Sequence, residues 1–382
     1  MQLDIIYSKK LIDICGNRLS MELIKEAFEE AMLINKRLIS NNLKIAYFFI
    51  DPLINSFEAA NNFYFNVLEC ESISRINTYK SGASPIQALC DAKELIDNNL
   101  YDAVFIFGQE LLLSNMRNYR DEVKKAMNIF EEKALIQCYN ELAEQLCNEV
   151  GLTEDQFLKI SDLLYDNYTK SYNQNTGSNS VSERGRVLDN MNAHLFKLTD
   201  CANPNIDFVG GIVVSNTNAA ELLGIDRENK TLVSSCKYNV VKGDPNNLDR
   251  IIGNKGEIFP HLKEAFNAAQ EESKINVGTE YSIGNLLLEV YTCYPPIPIA
   301  FLLSTEIIKD ISEIEKFIKE NQMTVSGGLN LARAPWNNPA LSGLIDLCEK
   351  MKKHKIKYGV VHGNGGIGEI QGVAILERYE GR

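Results

Sequence analysis

The sequence predicts an α/β protein made of two similar halves, and three observations support this prediction. First, apolar runs of strand length alternate with stretches of helical periodicity along most of the chain. Second, a unit of turn, helix and strand occurs twice, at residues 81–110 and 334–366, with Pro85 and Pro339 near the predicted helix starts. Third, a chain of 382 residues is long enough for two domains or one large α/β unit with a substantial core.

In the N-terminal part, periodicity and turn chemistry predict both helices and strands. The predicted elements are a helix over 19–41, a strand over 44–51, a strand over 73–80, a helix over 85–98 and a strand over 101–110. Ser84 is suited to be the N-cap of the second helix, and Pro85 to be its first residue. The strand over 101–110 has almost no polar interruption, which predicts burial on both of its faces.

Residues 111–200 are predicted to form a cap inserted between the two halves. This stretch is charged and helix-rich, and its polar segment over 173–186 is typical of an exposed loop. Beyond the cap, the predicted elements are a strand over 205–216, a short helix ending at Leu223, a strand over 231–241, a helix over 259–272 and a strand over 285–291. The predicted domains are an N-terminal half over 1–110, the cap over 111–200 and a C-terminal half over 201–382.

Residues 363–368 match the dinucleotide-binding pattern G-x-G-x-x-G, but their context does not fit that function. The pattern requires a helix after the glycines, with its N-terminus at the pyrophosphate. Here residues 369–378 are apolar and β-rich, and only fourteen residues follow Gly368, too few for a βαβ unit. The segment therefore predicts a glycine-rich turn between two terminal strands, with bare backbone that a substrate or another loop can approach.

Composition and charge argue against several classes of function. The net charge of −12 and the pI near 5.0 argue against a nucleic-acid partner, because neutralising phosphates requires a basic surface. The one basic run, 350–357, is either a solvated helix end or a contact for the phosphates of a nucleotide-bearing substrate. Nine scattered cysteines without a C-x-x-C pair predict neither a disulfide framework nor a metal site. We recognise no signal peptide and no membrane-spanning run, and we therefore expect a cytoplasmic protein.

The order and spacing of several segments resemble the thiolase superfamily, and within it the thiolase-like acetyl-CoA acetyltransferases related to sterol carrier protein thiolases. The segments are GASPIQAL with YDAVFIFGQE, NEVGLTEDQF, LTDCANPNIDFVGGIVVS, EVYTCYPP, SGGLNLARAPWNNPAL and the glycine-rich end. The resemblance implies duplicated βαβαβαββ halves in five layers, α-β-α-β-α, with an inserted helical loop domain. It also implies an acyl-CoA or acyl-carrier thioester as substrate, no separate cofactor, and a homodimer or a complex with a paralogue or a small accessory subunit.

The same resemblance indicates that the usual nucleophile and its base are missing. The family's nucleophilic cysteine falls on Gly82, in the turn that begins the second predicted helix. The histidine of the family's Gly-His-Pro motif, which activates that cysteine, falls on Ala334. Cys90 lies about two turns further along the same predicted helix and is expected to be a core residue.

Two other residues are the catalytic candidates. The family's second cysteine, an acid/base, aligns with His362, and a histidine there keeps a proton-transfer group. A further functional loop of the family falls on residues 291–294 and places Cys293 near the reaction, either as the partner of His362 or simply as a buried cysteine. We expect the His362 side chain to point into a cavity formed with Ser81, Gly82 and residues 291–294.

The glycine-rich loops and the turn before the second helix are the predicted substrate-binding elements. Their predicted substrate-binding residues are Ser81, Gly82, Ser84, Tyr291, Gly327, Gly328, Asn364, Gly365 and Gly366. For the two serines, helix capping is the alternative role. Two hypotheses about function follow: an acyl-CoA acyltransferase with a non-standard site, or a catalytically silent subunit that binds an acyl thioester or a partner protein.

The absence of the usual nucleophile and base predicts that the purified protein neither condenses acetyl-CoA nor cleaves acetoacetyl-CoA at thiolase-like rates. Each loss should remove roughly 4 kcal/mol or more of transition-state stabilisation. Spectrophotometric thiolysis assays on the homogeneous protein measure this, with a cysteine-dependent thiolase as the positive control. Robust thiolysis would contradict the prediction.

Overall fold

The computed structural model describes residues 2–18, 20–54, 76–128, 133–179, 184–242, 251–253 and 257–380. Its strands are β1 (Leu3–Asp13), β2 (Ile45–Ile50), β3 (Ile76–Tyr79), β4 (Ala103–Leu111), β5 (Val187–Leu188), β6 (Ala193–Lys197), β7 (Asp207–Asn216), β8 (Thr231–Val240), β9 (Leu286–Glu289), β10 (Tyr358–Gly365) and β11 (Ile370–Arg378). Its α-helices are α1 (Ser20–Ser40), α2 (Ser84–Asp97), α3 (Leu112–Asn118), α4 (Arg120–Met127), α5 (Leu135–Val150), α6 (Glu154–Thr176), α7 (Thr217–Leu222), α8 (Pro260–Ser273), α9 (Val277–Ser282), α10 (Pro296–Ser304), α11 (Ile314–Glu320), α12 (Gly328–Leu331) and α13 (Pro339–His354).

Nine strands form one mixed sheet that consists of two blocks. Their order is β3-β2-β4-β7-β1-β8-β11-β10-β9, so that the first block ends at β1 and the second begins at β8. Between β1 and β8 the register includes only two residue pairs, Asp4 with Leu232 and Ile5 with Thr231. Because this seam is so short, the two blocks can turn to face each other across a layer of helices.

Helices α2 and α13 form that middle layer. Helix α2 contacts strands of the first block, among them β4 and β7, and also β8, β10 and β11 of the second block. Helix α13 contacts β1 and β7 as well as β9, β10 and β11, and the two helices contact each other. Their residues Leu89, Ala92, Leu341 and Leu344 are fully buried in the central core or nearly so. The prediction that these two helices are buried neighbours is confirmed.

Two outer layers complete the predicted α-β-α-β-α arrangement. Helices α1 and α7 cover β1 and β7, and α8 covers β8 and β11. Strand β4 shows why its segment lacks polar residues: Val104 and Ile106 face the central core, whereas Phe105 and Phe107 belong to the core beneath α1. The prediction of a strand covered on both faces is therefore confirmed.

The inserted segment forms helices α3 to α6 and the two-stranded sheet of β5 and β6, and it packs on α10, α11 and α12. Helix α6 begins at a capping box, in which Thr153 and Gln156 satisfy each other's backbone N–H groups, and it ends at Gly177 in the left-handed conformation. Helix α6 thus continues into the segment predicted as an exposed loop over 173–186, of which residues 180–183 lie outside the described residues.

Three details differ from the sequence predictions or extend beyond them. Strand β1 was not predicted. Ser84 is the first residue of α2 rather than its N-cap, which is Ala83, and the Ser84 hydroxyl donates to the Ser81 hydroxyl at 3.1 Å. The predicted strand over 73–80 appears as β3, and residues 73–75 lie outside the described residues. The predicted domain boundaries remain a prediction. Strand β7, which lies within the predicted C-terminal half, pairs with β4 and β1 in the first block of the sheet.

Burial of α2 predicts a large stability loss when its core side chains are shortened. Leu89→Ala should lower the free energy of unfolding by about 2–5 kcal/mol, because a cavity is left between both sheet blocks. Leu100→Ala is the control, since this side chain is 52% exposed just beyond the same helix. Urea unfolding followed by circular dichroism measures both variants, and equal effects would contradict the layered packing.

Candidate functional site

A cavity of about 810 Å³, the main cavity, lies at the N-terminal ends of α2 and α13. The predicted residues Ser81, Gly82, Tyr291, Cys293, Asn364 and Gly366 all line it, as does Ala334. Its other walls come from the cap, through residues 125–128 and Tyr139, and from the loop before α13. The middle layer of the fold therefore brings together turns that lie more than 200 residues apart in sequence.

Gly82 is enclosed so tightly that no side chain fits at its position. A Cβ atom there would lie 2.1 Å from the carbonyl oxygen of Asn364 and 2.5 Å from the hydroxyl of Tyr291. Glycine is needed here because the backbone of another segment comes close, as the glycine-rich turn had suggested. The backbone at Gly82 is thus closed off by Tyr291 and by the end of β10, so position 82 has no room for a side chain.

Cys293, Tyr139 and Asn364 form a buried polar cluster at the wall of the main cavity. The Cys293 thiol donates to the Tyr139 hydroxyl at 3.6 Å, and the Asn364 amide donates to the same hydroxyl at 3.2 Å. Tyr139 in turn donates to the carbonyl of Gly366 at 2.8 Å. Burial raises the pKa of the Cys293 thiol to about 12, so almost none of it is ionised near pH 7.

A chain of hydrogen bonds continues from Asn364 into the protein interior. The amide nitrogen of Gln371 donates to Asn364 Oδ1 at 2.5 Å and to the carbonyl of Gly368 at 3.0 Å. His362 Nδ1 accepts the backbone N–H of Tyr291 at 3.4 Å, which assigns the ring proton to Nε2, and Nε2 donates to Gln371 Oε1 at 2.7 Å. Each ring nitrogen of the histidine therefore has a partner within the core.

The expectation that His362 points into the cavity is wrong. Its side chain is buried beside the ring of Phe301, with 4.7 Å between the ring centroids, and it is not among the lining residues. The physical reason is the length of β10, which continues through the glycines to Gly365, so that Asn364 and not His362 reaches the cavity. Burial lowers the pKa of His362 to about 4.

The hypothesis of a thiolate/imidazole pair is also not met. The His362 nitrogens bond to Gln371 and to the backbone of Tyr291, and the Cys293 thiol bonds to Tyr139. Both side chains are neutral near pH 7, because burial raises the pKa of the cysteine and lowers the pKa of the histidine. Cys293 lies at the cavity without a base that could remove its proton through these bonds.

Four predicted substrate-binding residues lie outside the cavity lining. Ser84 is buried beneath Ser81, and Gly365 packs against the Ser81 side chain. Gly327 and Gly328 begin the short helix α12 and pack against Tyr172 and Tyr168 of the cap, so the glycines give close helix packing there rather than an open approach for substrate.

The described residues of the cavity lining include two cations and no carboxylate. Lys80 directly precedes the turn at Ser81, and Lys125 comes from α4 of the cap. Helices α2 and α13 both direct their N-terminal ends, where backbone N–H groups are unpaired within the helix, at this cavity. In a chain of net charge −12, this arrangement favours an anionic ligand.

Sequence reasoning missed Tyr139, Lys80, Lys125 and Trp336 as cavity residues. Lys80 had a sequence signal, because it adjoins the predicted substrate-binding turn. Tyr139 and Lys125 had no sequence signal, since no local sequence pattern indicates which residues of the cap will meet a turn elsewhere in the chain. The basic run 350–357 begins near the opposite end of α13, roughly 20 Å from the cavity by helix rise.

Two buried glutamates hold loops near the site. Glu289 accepts the backbone N–H groups of Val325 and Ser326, and burial raises the pKa of Glu289 to about 7. Glu110 accepts the N–H of the cavity residue Leu53 at 2.8 Å, and burial raises the pKa of Glu110 to about 8. Across the described part of the chain, no cluster of histidine, cysteine or acidic side chains is placed to hold a metal ion, and no helix is suited to cross a bilayer.

Comparisons with known proteins identify the fold. No protein-family model matches the sequence, and no curated protein matches it. A monomeric SCP2-thiolase-like protein type 1 from Mycobacterium smegmatis is similar in structure, with a TM-score of 0.71 and 15% sequence identity over 99% of this chain and 78% of that chain. Human mitochondrial 3-ketoacyl-CoA thiolase has a TM-score of 0.68 and 13% identity over 99% of both chains. The chain therefore has the thiolase fold.

His362 predicts a specific dependence of stability on pH. The unfolded histidine binds a proton below about pH 6.5 and the folded one only near pH 4, so stability falls as pH decreases through this window. Between pH 8 and pH 5 the loss attributable to His362 is about 2 kcal/mol. The stability that Glu110 and Glu289 contribute changes in the opposite direction: their pKa values are raised in the folded protein, so this contribution falls as pH rises.

The His362 contribution is isolated by comparing the pH dependence of the wild type with that of His362→Gln, which lacks this titration. Urea unfolding at pH 8 and pH 5 should show the stability advantage of the wild type over the variant shrinking by about 2 kcal/mol at pH 5. A difference that is the same at both pH values would mean that the histidine is protonated, or solvated, in the folded protein.

Proposed function

We propose that this thiolase-fold chain binds an acyl-CoA or acyl-carrier thioester in the main cavity without forming an acyl-cysteine at the usual thiolase position. The observation that carries the proposal is the closure of Gly82 by the Asn364 carbonyl and the Tyr291 hydroxyl. A thioester can lie beside this turn, but the turn offers it no cysteine thiol. Ala334, at the position of the activating histidine, contributes only a methyl group to the wall.

The charge of the cavity supports an anionic thioester as the ligand. Lys80 and Lys125 are suited to the phosphates of coenzyme A or of an acyl-carrier prosthetic group. The N-terminal ends of α2 and α13 favour the partial negative charge of a thioester carbonyl. Apolar wall residues such as Leu53, Leu135 and Trp336 are suited to an aliphatic acyl or pantetheine segment.

A second candidate function is acyl transfer with Cys293 as the acyl carrier, because its thiol lies at the cavity and contacts Tyr139 and Asn364. In that reaction the sulfur forms a bond to the acyl carbon, the bond to the coenzyme A sulfur breaks, and the thiol proton passes to the departing thiolate. The pKa of about 12 leaves roughly one thiol in 10⁵ ionised at pH 7, and binding without covalent chemistry is the better supported function.

The compartment and the assembly stay predictions. Cytoplasmic location and a homodimer, or a complex with a paralogue or a small accessory subunit, are what the sequence resemblance implies. In a silent subunit of such a complex, thioester binding would serve the partner's reaction rather than a reaction of this chain.

The proposal predicts reversible binding of acetyl-CoA that depends on the cavity cations. In isothermal titration calorimetry at low salt, Lys125→Gln should weaken binding by about two- to fivefold, as expected for one exposed charge pair. Lys124→Gln is the matched control, because Lys124 adjoins Lys125 on α4 and is exposed but does not line the cavity; this variant should bind as the wild type does.

The same mixtures, digested and examined by mass spectrometry, separate the two functions. Binding without an acylated peptide supports the first proposal, whereas an acyl group on Cys293 would establish the acyltransferase. If the protein binds neither acetyl-CoA nor free coenzyme A, both proposed functions are refuted.

A further inference from the structure

A second cavity of about 400 Å³ adjoins the main cavity and shares Ala202 and Pro204 with it as walls. It is markedly polar: Asn203, Asn205 and Asn330 line it together with Thr199, and Tyr165 and Tyr172 of the cap face the same space. Arg333, beside the cavity residue Ala334, is the one charged residue among its described lining residues.

Arg333 lacks partners within the described part of the chain. No hydrogen bond or ion pair joins its guanidinium group to a protein group there, and its Nε atom is buried without an acceptor. Buried donors in native proteins nearly always have a partner, so an unsatisfied guanidinium nitrogen indicates an acceptor that the protein itself does not supply. Asp200, in the wall segment 198–205, already pairs with Arg184 and is not available to it.

The walls around Arg333 are held in place by backbone hydrogen bonds. Ala202 donates to the carbonyl of Cys293 at 2.8 Å, Asn203 donates to that of Leu329 at 3.0 Å, and Ala334 donates to that of Asn203 at 2.9 Å. The segment that separates the two cavities is thereby tied both to the Cys293 loop and to the loop that carries Arg333. The second cavity is a formed feature of the fold rather than a gap between mobile side chains.

The backbone of Arg333 is strained. Its φ angle is 78°, in the left-handed region that favours glycine, and Trp336 three residues later has a φ angle of 40°. A glycine at position 333 would relieve this strain without losing any protein contact of the guanidinium. Non-glycine residues that the surrounding structure holds in such conformations cluster at active sites and ligand-binding sites.

We propose that the second cavity is a subsite for an anionic oxygen group, a carboxylate or a phosphate, which Arg333 binds through its guanidinium fork. The inference rests on the proposed function, because the group would belong to the thioester that occupies the main cavity. Two sources share this chemistry: a carboxylate at the far end of the acyl chain and a phosphate of the thioester carrier. The side-chain amides of Asn203 and Asn205 and the tyrosine hydroxyls of the subsite are suited to donate to the same oxygens.

Calorimetry with four ligands tests the subsite and its source. Succinyl-CoA and butyryl-CoA have four-carbon acyl groups that differ in the terminal carboxylate, and succinyl-pantetheine and butyryl-pantetheine lack the phosphates. The variants are Arg333→Gly, which suits the left-handed backbone, and Arg333→Lys, which keeps the charge and the strain. Arg333→Gly should have an unchanged or higher melting temperature. It should bind the ligands that carry the recognised anionic group at least about tenfold more weakly than the wild type does, and Arg333→Lys should be intermediate.

The pattern of losses identifies the bound group. If Arg333→Gly loses a preference for succinyl over butyryl thioesters in both carrier series, the group is the acyl carboxylate. If it weakens both coenzyme A thioesters equally and neither pantetheine thioester, the group is a carrier phosphate. Either result supports the subsite. Wild-type affinity of Arg333→Gly for all four ligands overturns it, as does equal weakening of all four with a lower melting temperature, which would indicate a structural role.

Failure of the proposed function is distinguished by titrating succinate and inorganic phosphate alone. If the wild type binds no thioester but binds either anion in an Arg333-dependent manner, the proposed function is wrong and the subsite stands. If neither anion binds in that manner either, the subsite is refuted as well.

Discussion

The burial of α2 and α13 between the two blocks of the sheet is the constraint on which the rest of this structure depends. Each helix packs against strands from both blocks, so neither block can have a closed core without them. Their N-terminal ends then meet the turns at the ends of the strands, and the main cavity is the space left where these ends, β10 and the cap come together. The location of the site is thus a consequence of how the core is filled.

At the turn before α2, close packing leaves no room for a side chain at position 82. Gly82 is covered there by the carbonyl oxygen of Asn364 and the hydroxyl of Tyr291. The polar groups behind this contact satisfy one another, from Tyr139 through Asn364 and Gln371 to His362, and they hold the imidazole away from the cavity. A buried network that is fully satisfied stabilises one arrangement of its members, which suits a binding wall better than proton transfer.

The electrostatics of the two cavities point in the same direction. An acidic protein concentrates Lys80, Lys125 and Arg333 around two adjoining spaces whose described lining residues include no carboxylate. Two of these cations and the ends of two long helices surround the main cavity, and the third lies in a polar space beside it. An extended ligand with an anionic group at more than one position would match this distribution, as an acyl thioester with a phosphate-bearing carrier does.

The sequence by itself determined most of the elements, because these depend on local periodicity: the apolar strand 101–110, the helix that starts near Pro85 and the turn between two terminal strands all appear as predicted. The layered arrangement was implied by the family resemblance. The family resemblance also implies that the usual nucleophile and its base are missing at Gly82 and Ala334, and this stays a prediction. Only the tertiary structure decided which groups face the cavity. Strand β10 continues three residues beyond His362 to Gly365, which puts Asn364 at the wall and His362 in the core. Tyr139 and Arg333 meet segments distant in the chain, and their proximity is set by helix packing between the sheet blocks and not by any local pattern.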